Sequence, residues 1–175
     1  MSGEVIILTG PPASGKTTVA GLLASNADTP TVHLTTDLFY RAIKTGFILP
    51  YLPESQRQNE VVVDAIVATV RTFARGGYDV VVDGIVGPWF LPPFRSAFDN
   101  LAYVVLRPSL ATTLARAEER VGDELKDVDA ITGLHGAFAD LGVLEAHALD
   151  TGHLDATQTA TEIRRLLAAG SHRLA

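Results

Sequence analysis

Apolar residues in this chain gather into short runs rich in Val and Ile, separated by longer stretches in which they recur every three or four positions. VIILT at Val5–Thr9, TVHLT at Thr31–Thr35, DVVVD at Asp79–Asp83 and AYVVLR at 102–107 read as strands; a weaker fifth run lies at 146–150. Between them, KTTVAGLLASN and DLFYRAIK have helical spacing. The longest helix is predicted after Pro53, with Val62, Ile66, Val70 and Phe73 on one face, and Gly76 and Gly77 stop it. Its Val-rich middle suits a strand by propensity, but some twenty residues without a turn signal favour helix. A helix over PSLATTLARAEER follows the fourth strand. The last, at about 156–169, sets Thr159, Ile163, Leu166 and Leu167 on one side and ends at Gly170. Strand and helix alternate, which implies an α/β fold of βα units around a mostly parallel sheet.

Composition narrows this picture. With 175 residues, 47% hydrophobic and 19% charged, the chain suffices for one well-buried core, so a single domain spanning 1–175 is expected. No apolar stretch approaches the roughly 20 residues that cross a bilayer. MSGEV lacks the features of a secretory signal, and a cytoplasmic location is the expectation. Cysteine is absent, which excludes disulfides, thiolate metal sites and a thiol nucleophile. The formal charge of −6 argues against a nucleic-acid partner, because such binding needs clustered Lys and Arg.

One loop carries most of the chemistry. GPPASGKT at 10–17 fits GxxxxGK[ST], with Gly10, Gly15, Lys16 and Thr17 at the required offsets, after a predicted strand and before a predicted helix. Pro11 and Pro12 have no N–H to offer, so the phosphate cradle falls to Ala13, Ser14, Gly15, Lys16, Thr17 and Thr18. Lys16 would reach the outer phosphates, the Thr17 hydroxyl would ligate Mg²⁺, and the helix end would add its partial positive charge.

Other polar residues fall at neighbouring strand ends. Asp83, closing VVVD, stands where a carboxylate would hold Mg²⁺ or its water, or else caps the turn with Gly84. Asp37 opens DLFYRAIK; it is either a helix cap or the group that orients the proton of an attacking hydroxyl. Arg107 ends the fourth strand. Arg116 and Arg120, four apart on the following helix, suit base stacking and the charge of a transferring phosphoryl group respectively, or form a solvated face balanced by Glu118 and Glu119. The polar segment at about 116–130 is a lid candidate.

Several other chemistries find no support. The five histidines show no tight metal spacing, and His33 reads as core or edge of a strand. Neither GxSxG nor GxGxxG occurs. The guanine-reading NKxD is missing, and DGIVG stands where a GTPase has DxxG, so adenine is the better base.

Taken together, GPPASGKT, LTTDLF, FARGGYDVVVDG, the arginine-bearing helix and the late LDT resemble the small P-loop kinases, most closely the chloramphenicol phosphotransferase branch. The resemblance spans nearly the whole chain. It implies a five-stranded, mostly parallel sheet flanked by helices in the P-loop nucleoside triphosphate hydrolase fold, with ATP and Mg²⁺ as cosubstrates. Asp37 would be the catalytic base towards a small hydroxyl-bearing acceptor, Arg116 and Arg120 the adenine and lid arginines, and Asp150 and Thr151 the loop beside the adenine. Related shikimate kinases carry DxD after the second strand. Here Thr35 replaces the first acid, leaving the metal more to Thr17 and Asp83.

The acceptor pocket is expected from KTGFILPYLPESQRQN and GIVGPWFLPPFR, rich in Phe, Tyr, Trp and Pro. This composition suits an apolar or aromatic acceptor with polar handles from Tyr40, Arg41, Gln56 and Arg57. Trp89 and Phe90 lie beside prolines and serve either packing or recognition. The expected activity is transfer of the γ-phosphoryl group of ATP to a small-molecule hydroxyl, with an antibiotic, a sugar or a nucleoside all open. Two other readings remain: a slowly hydrolysing ATP switch with a protein partner, and a toxin-like kinase of nucleotide-sugars. The oligomeric state is not legible.

Overall fold

The Val/Ile-rich runs become the strands of one sheet, β1 (Val5–Thr9), β2 (Thr31–Thr35), β3 (Asp79–Asp83), β4 (Leu101–Leu106) and β5 (Ala148–Leu149). The computed structural model describes residues 2–119 and 125–174. Strand order is β2-β3-β1-β4-β5, with every neighbouring pair parallel. This is the mostly parallel α/β sheet that the strand pattern predicts.

Two differences lie at the outer edge of β4. The expected strand at 146–150 shrinks to two residues, because Gly142–His147 winds into a 3₁₀ turn and only Ala148 and Leu149 pair with Val105 and Leu106. The other end of the same edge is covered by an unforeseen sixth strand, β6 (Arg173–Leu174), antiparallel to β4 with Leu174 opposite Leu101. A two-residue strand has no alternation to read. Arg173 fixes it by ion-pairing Glu4 at 2.6 Å and bonding Asn100 at 2.8 Å.

Among the described residues seven α-helices fill the connections: α1 (Lys16–Ser25), α2 (Asp37–Arg41), α3 (Gln56–Arg75), α4 (Pro92–Ala97), α5 (Leu110–Glu118), α6 (Val128–Ala137) and α7 (Ala156–Ala168). The period of two along each strand divides the core. Leu8, Val81, Ala102, Val104 and Leu106 pack with α1 and α7, whereas Val5, Ile7, Val80, Val82, Tyr103 and Val105 pack with α3 and α4. On α3, Val62, Val63, Ile66, Val67 and Val70 are all buried. Each stabilises by roughly 1.5–3 kcal/mol relative to exposure, which outweighs the few tenths lost to the low helix propensity of valine. Phe73, expected on this face, is 36% exposed against Tyr78, and Ala74 takes the inner position. Asp155 and Gln158 form a reciprocal capping box that starts α7.

A parallel sheet gathers the carboxyl ends of its strands at one edge. Thr9, Thr35, Asp83 and Arg107 therefore lie along one rim, where α/β folds bind ligands.

Candidate functional site

The loop from β1 to α1 is built around backbone that ordinary side chains avoid. Gly10 has φ +142°, and a Cβ there would stand 2.2 Å from the carbonyl oxygen of Leu106, so the loop presses directly on the end of β4. Ala13 at φ 59° and Gly15 at φ 92° are left-handed two residues apart, a geometry that gathers successive N–H groups into an anion-binding concavity. For alanine this costs about 1 kcal/mol or more, and such strain collects at ligand clamps. The α1 helix begins at Lys16 with no side-chain cap and no acid in its first turn. A helix start without a side-chain cap presents backbone N–H groups and a positive dipole end, both suited to an anion. Lys16 Nζ donates to the Pro11 carbonyl at 2.8 Å and lies 3.5 Å from Ser14 Oγ, over the loop rather than away from it.

Asp83 is 1% exposed at the end of β3, opposite Thr35 on one side and Leu8 on the other. Burial pushes its carboxyl up, but hydrogen bonds involving His33, Thr17 and Thr35, together with the electrostatic pull of His33, hold it below the usual carboxylate value. His33 Nε2 stands 3.5 Å from Asp83 Oδ1. This is the outer limit of hydrogen bonding, and both atoms are buried without a partner of full geometry. The donors that meet here, a hydroxyl and a carboxylate, fit a hard cation such as Mg²⁺, which takes few protein ligands and keeps water and phosphate oxygens for the rest. Among the described residues no three His, Cys, Asp or Glu side chains cluster as a metal cage.

Asp37 follows directly. Thr36 N–H donates to the main-chain oxygen of Asp83 at 2.9 Å, which ties the start of α2 to the end of β3. The capping residue of α2 is Thr36, and no side chain caps the helix; Asp37 is exposed in the first turn. Capping therefore does not account for it. Burial, then the charge of Asp37, raises the Tyr40 phenol to about 12. Tyr40 packs against the α3 core, and Arg41 is exposed.

Between α2 and α3 runs an apolar groove of about 420 Å³, walled by Phe39, Ile43, Val61 and Val62, with Arg57 and Gln58 among its polar members. Gln56 is turned to Glu60 at 3.0 Å on the exposed face of α3, and Arg57 also faces Glu60 at 3.5 Å. Trp89 lies elsewhere, its ring packed tilted on Phe138 at 5.6 Å yet 46% exposed. Gln58 is a residue that sequence reasoning missed. It donates to Ile48 O at 2.7 Å and accepts from Ile48 N at 2.8 Å, while buried Asn59 and Ser55 bind Pro50 O, so the loop over 42–55 is fastened to α3.

On the opposite side α5 reaches the phosphate loop, with Ala117 in one apolar cluster with Ala13. Arg116 Nη2 lies 3.4 Å from Thr151 O, which brings together Arg116 and the loop of Asp150 and Thr151. Asp150 is exposed, and its Oδ1 accepts from Gly152 N–H at 2.9 Å. Thr151 is buried, and its Oγ1 has no hydrogen-bond partner among the described residues. Arg120 and part of the lid candidate lie outside the described residues; of the rest, Asp127 caps α6. Arg107 is engaged structurally, paired with Glu145 through both terminal nitrogens and bonded to Phe138 O at 3.1 Å.

Comparison with known proteins bears on the family and the fold. Residues 3–168 match the profile of the family described as chloramphenicol phosphotransferase-like protein. No curated protein sequence matches significantly. Solved structures share the fold at low identity. A sugar kinase from Janibacter sp. superposes with TM-score 0.69 at 15% identity, covering 96% of this chain and 95% of its own. The tunicamycin resistance protein of Deinococcus radiodurans gives 0.69 at 16%, covering 99% of both chains. Shikimate kinase from Acinetobacter baumannii gives 0.67 at 20%, covering 96% and 94%. Among the described residues no helix is long and apolar enough to cross a membrane.

Proposed function

The chain belongs to the chloramphenicol phosphotransferase-like protein family, and on that premise we propose that it is an ATP-dependent kinase that phosphorylates a hydroxyl of a small, largely apolar molecule in the cytoplasm. The observation that carries this reading is the convergence at one sheet edge of the phosphate loop, the buried Asp83 and the uncapped Asp37.

In this reading the backbone N–H groups of 13–18 and Lys16 hold the phosphates, and Arg116 with the loop at Asp150 and Thr151 flanks the adenine. Thr17 and Asp83 would hold Mg²⁺, which when bound neutralises phosphate charge. Asp37 accepts or orients the proton of the acceptor hydroxyl; as an exposed carboxylate with no capping duty, it is available to do so. Arg120 is the proposed cation for charge developing on the transferred group.

The groove between α2 and α3 supports an acceptor with an apolar body, because its walls are Phe, Ile and Val and its polar members few. The proteins of like fold include a sugar kinase, a tunicamycin resistance protein and a shikimate kinase, so the fold alone does not select among acceptors. The test is incubation with ATP, Mg²⁺ and a panel of sugars, cyclic hydroxy acids, nucleosides and amphipathic alcohols, followed by ³¹P NMR for a phosphate ester. Ester formation with an apolar member supports the reading. Hydrolysis stimulated only by a protein partner, with no ester from any compound, overturns it in favour of a switch.

A further inference from the structure

His33 stands beside Asp83 and has no part in the phosphotransferase reading. Register places Thr35 directly opposite Asp83 and His33 opposite Val81, so His33 and Asp83 are diagonal neighbours on one face of the β2–β3 pair. The imidazole is largely enclosed, and its Nε2 stands 3.5 Å from Oδ1. Among the described residues neither atom has a hydrogen-bond partner of full geometry. An apolar side chain would fill this strand position without exposing a polar atom to desolvation, and Val32 and Leu34 on either side do so.

We propose that His33 is a positioning residue for Asp83: its imidazole, standing in contact with Oδ1, limits the orientations open to the carboxylate to the one in which it serves the magnesium accompanying the nucleotide. The inference rests on the proposed phosphotransferase function. Its physical basis is general. A ligating or water-holding carboxylate with an unrestrained rotamer must be ordered at the moment of binding, and outer-shell donors remove that cost, with losses of about 10–100-fold in metal affinity when they are deleted. Thr17 and Thr35 also bear on this carboxylate, but their hydroxyls rotate and can turn to other acceptors. The imidazole carries its nitrogens in a rigid ring on a side chain that is only 24% exposed.

The test uses the full chain and titration calorimetry with ATP, once in MgCl₂ and once in EDTA, so that magnesium's increment to ATP affinity is read without turnover. His33→Leu is expected to reduce that increment by about 10-fold or more, while ATP affinity in EDTA stays within about twofold because the phosphate loop is untouched. His33→Gln, whose amide nitrogen reaches close to the position of Nε2, is expected to retain most of the increment; His33→Asn, too short to reach, is expected to lose it. The Gln and Asn pair decides the matter if the Leu variant does not fold. An undiminished increment in folded His33→Leu or His33→Asn overturns the positioning role and leaves the phosphotransferase reading standing. A wild-type protein whose ATP affinity is indifferent to magnesium overturns both.

Discussion

The main-chain N–H of Thr36 bonds the carbonyl of Asp83 at 2.9 Å, which sets Asp37 one residue beyond a strand end that also carries the buried carboxylate. Two acids of opposite character thus share one rim: Asp83 enclosed and held ionised by its neighbours, Asp37 exposed. Replacing Asp37 with Asn is expected to leave ATP affinity within about twofold and stability within about 0.5 kcal/mol, since an exposed side chain without a cap contributes little. Phosphoryl transfer is expected to fall by about 10²–10⁴-fold, the usual contribution of a positioned base. Full turnover in Asp37→Asn, measured by product formation, removes it from that role.

Asp37 is also legible through Tyr40. The phenol is raised from 10.0 to about 12, first by burial and then by Asp37. A folded-state value above the unfolded one means that stability fully present below pH 10 is lost as pH rises towards 12. Phenolate absorbance, taken as wild type minus Tyr40→Phe, is expected to titrate late, and to move earlier in Asp37→Asn because the repelling charge is gone. An unmoved titration contradicts the proximity of the two groups.

The loop glycines are not equivalent. Gly10→Ala sets a methyl group 2.2 Å from a backbone oxygen at positive φ, whereas at Gly15 a Cβ meets nothing within 4 Å and only the conformation resists. We expect Gly10→Ala to destabilise the fold by more than the ~1–2 kcal/mol of a left-handed alanine, and Gly15→Ala by about that amount. Denaturant melts compare them directly, and equal losses contradict the close approach to Leu106.

Gln58 fastens the acceptor-side loop through both atoms of its amide. Gln58→Ala is expected to cost about 1–2 kcal/mol, a fall in Tm of roughly 2–8 °C at this chain length. It is expected to raise the KM for the acceptor more than it lowers kcat. A changed kcat with an unchanged KM contradicts the assignment of this loop to the acceptor side.

Much of this was readable from residues alone where the signal is local. The first four strands are short apolar runs, and the phosphate loop has fixed offsets between Gly10 and Thr17. What stayed hidden depends on pairings made only in the folded chain. His33 reads as core or edge of a strand until β2 lies beside β3, fifty positions away, and brings it to Asp83. Arg107 reads only as an arginine at a strand end until Glu145, thirty-eight positions later, pairs with it. Gln58 and Asn59 look like polar filler in a helix start, because nothing in their own segment shows that Ile48 and Pro50 return to them. The two-residue strands β5 and β6 are set by the free edge of β4, and carry no periodicity of their own.

The central claim is that the backbone of 10–18 and the Lys16 ammonium form a nucleotide phosphate seat. Titration calorimetry of ATP in magnesium, on the wild type and on Lys16→Ala, tests it most directly. The account predicts saturable binding at one site per chain that weakens at least about 10-fold in the variant, in keeping with loss of a charge-assisted contact; absence of binding in the wild type, or identical isotherms for the two proteins, would contradict it.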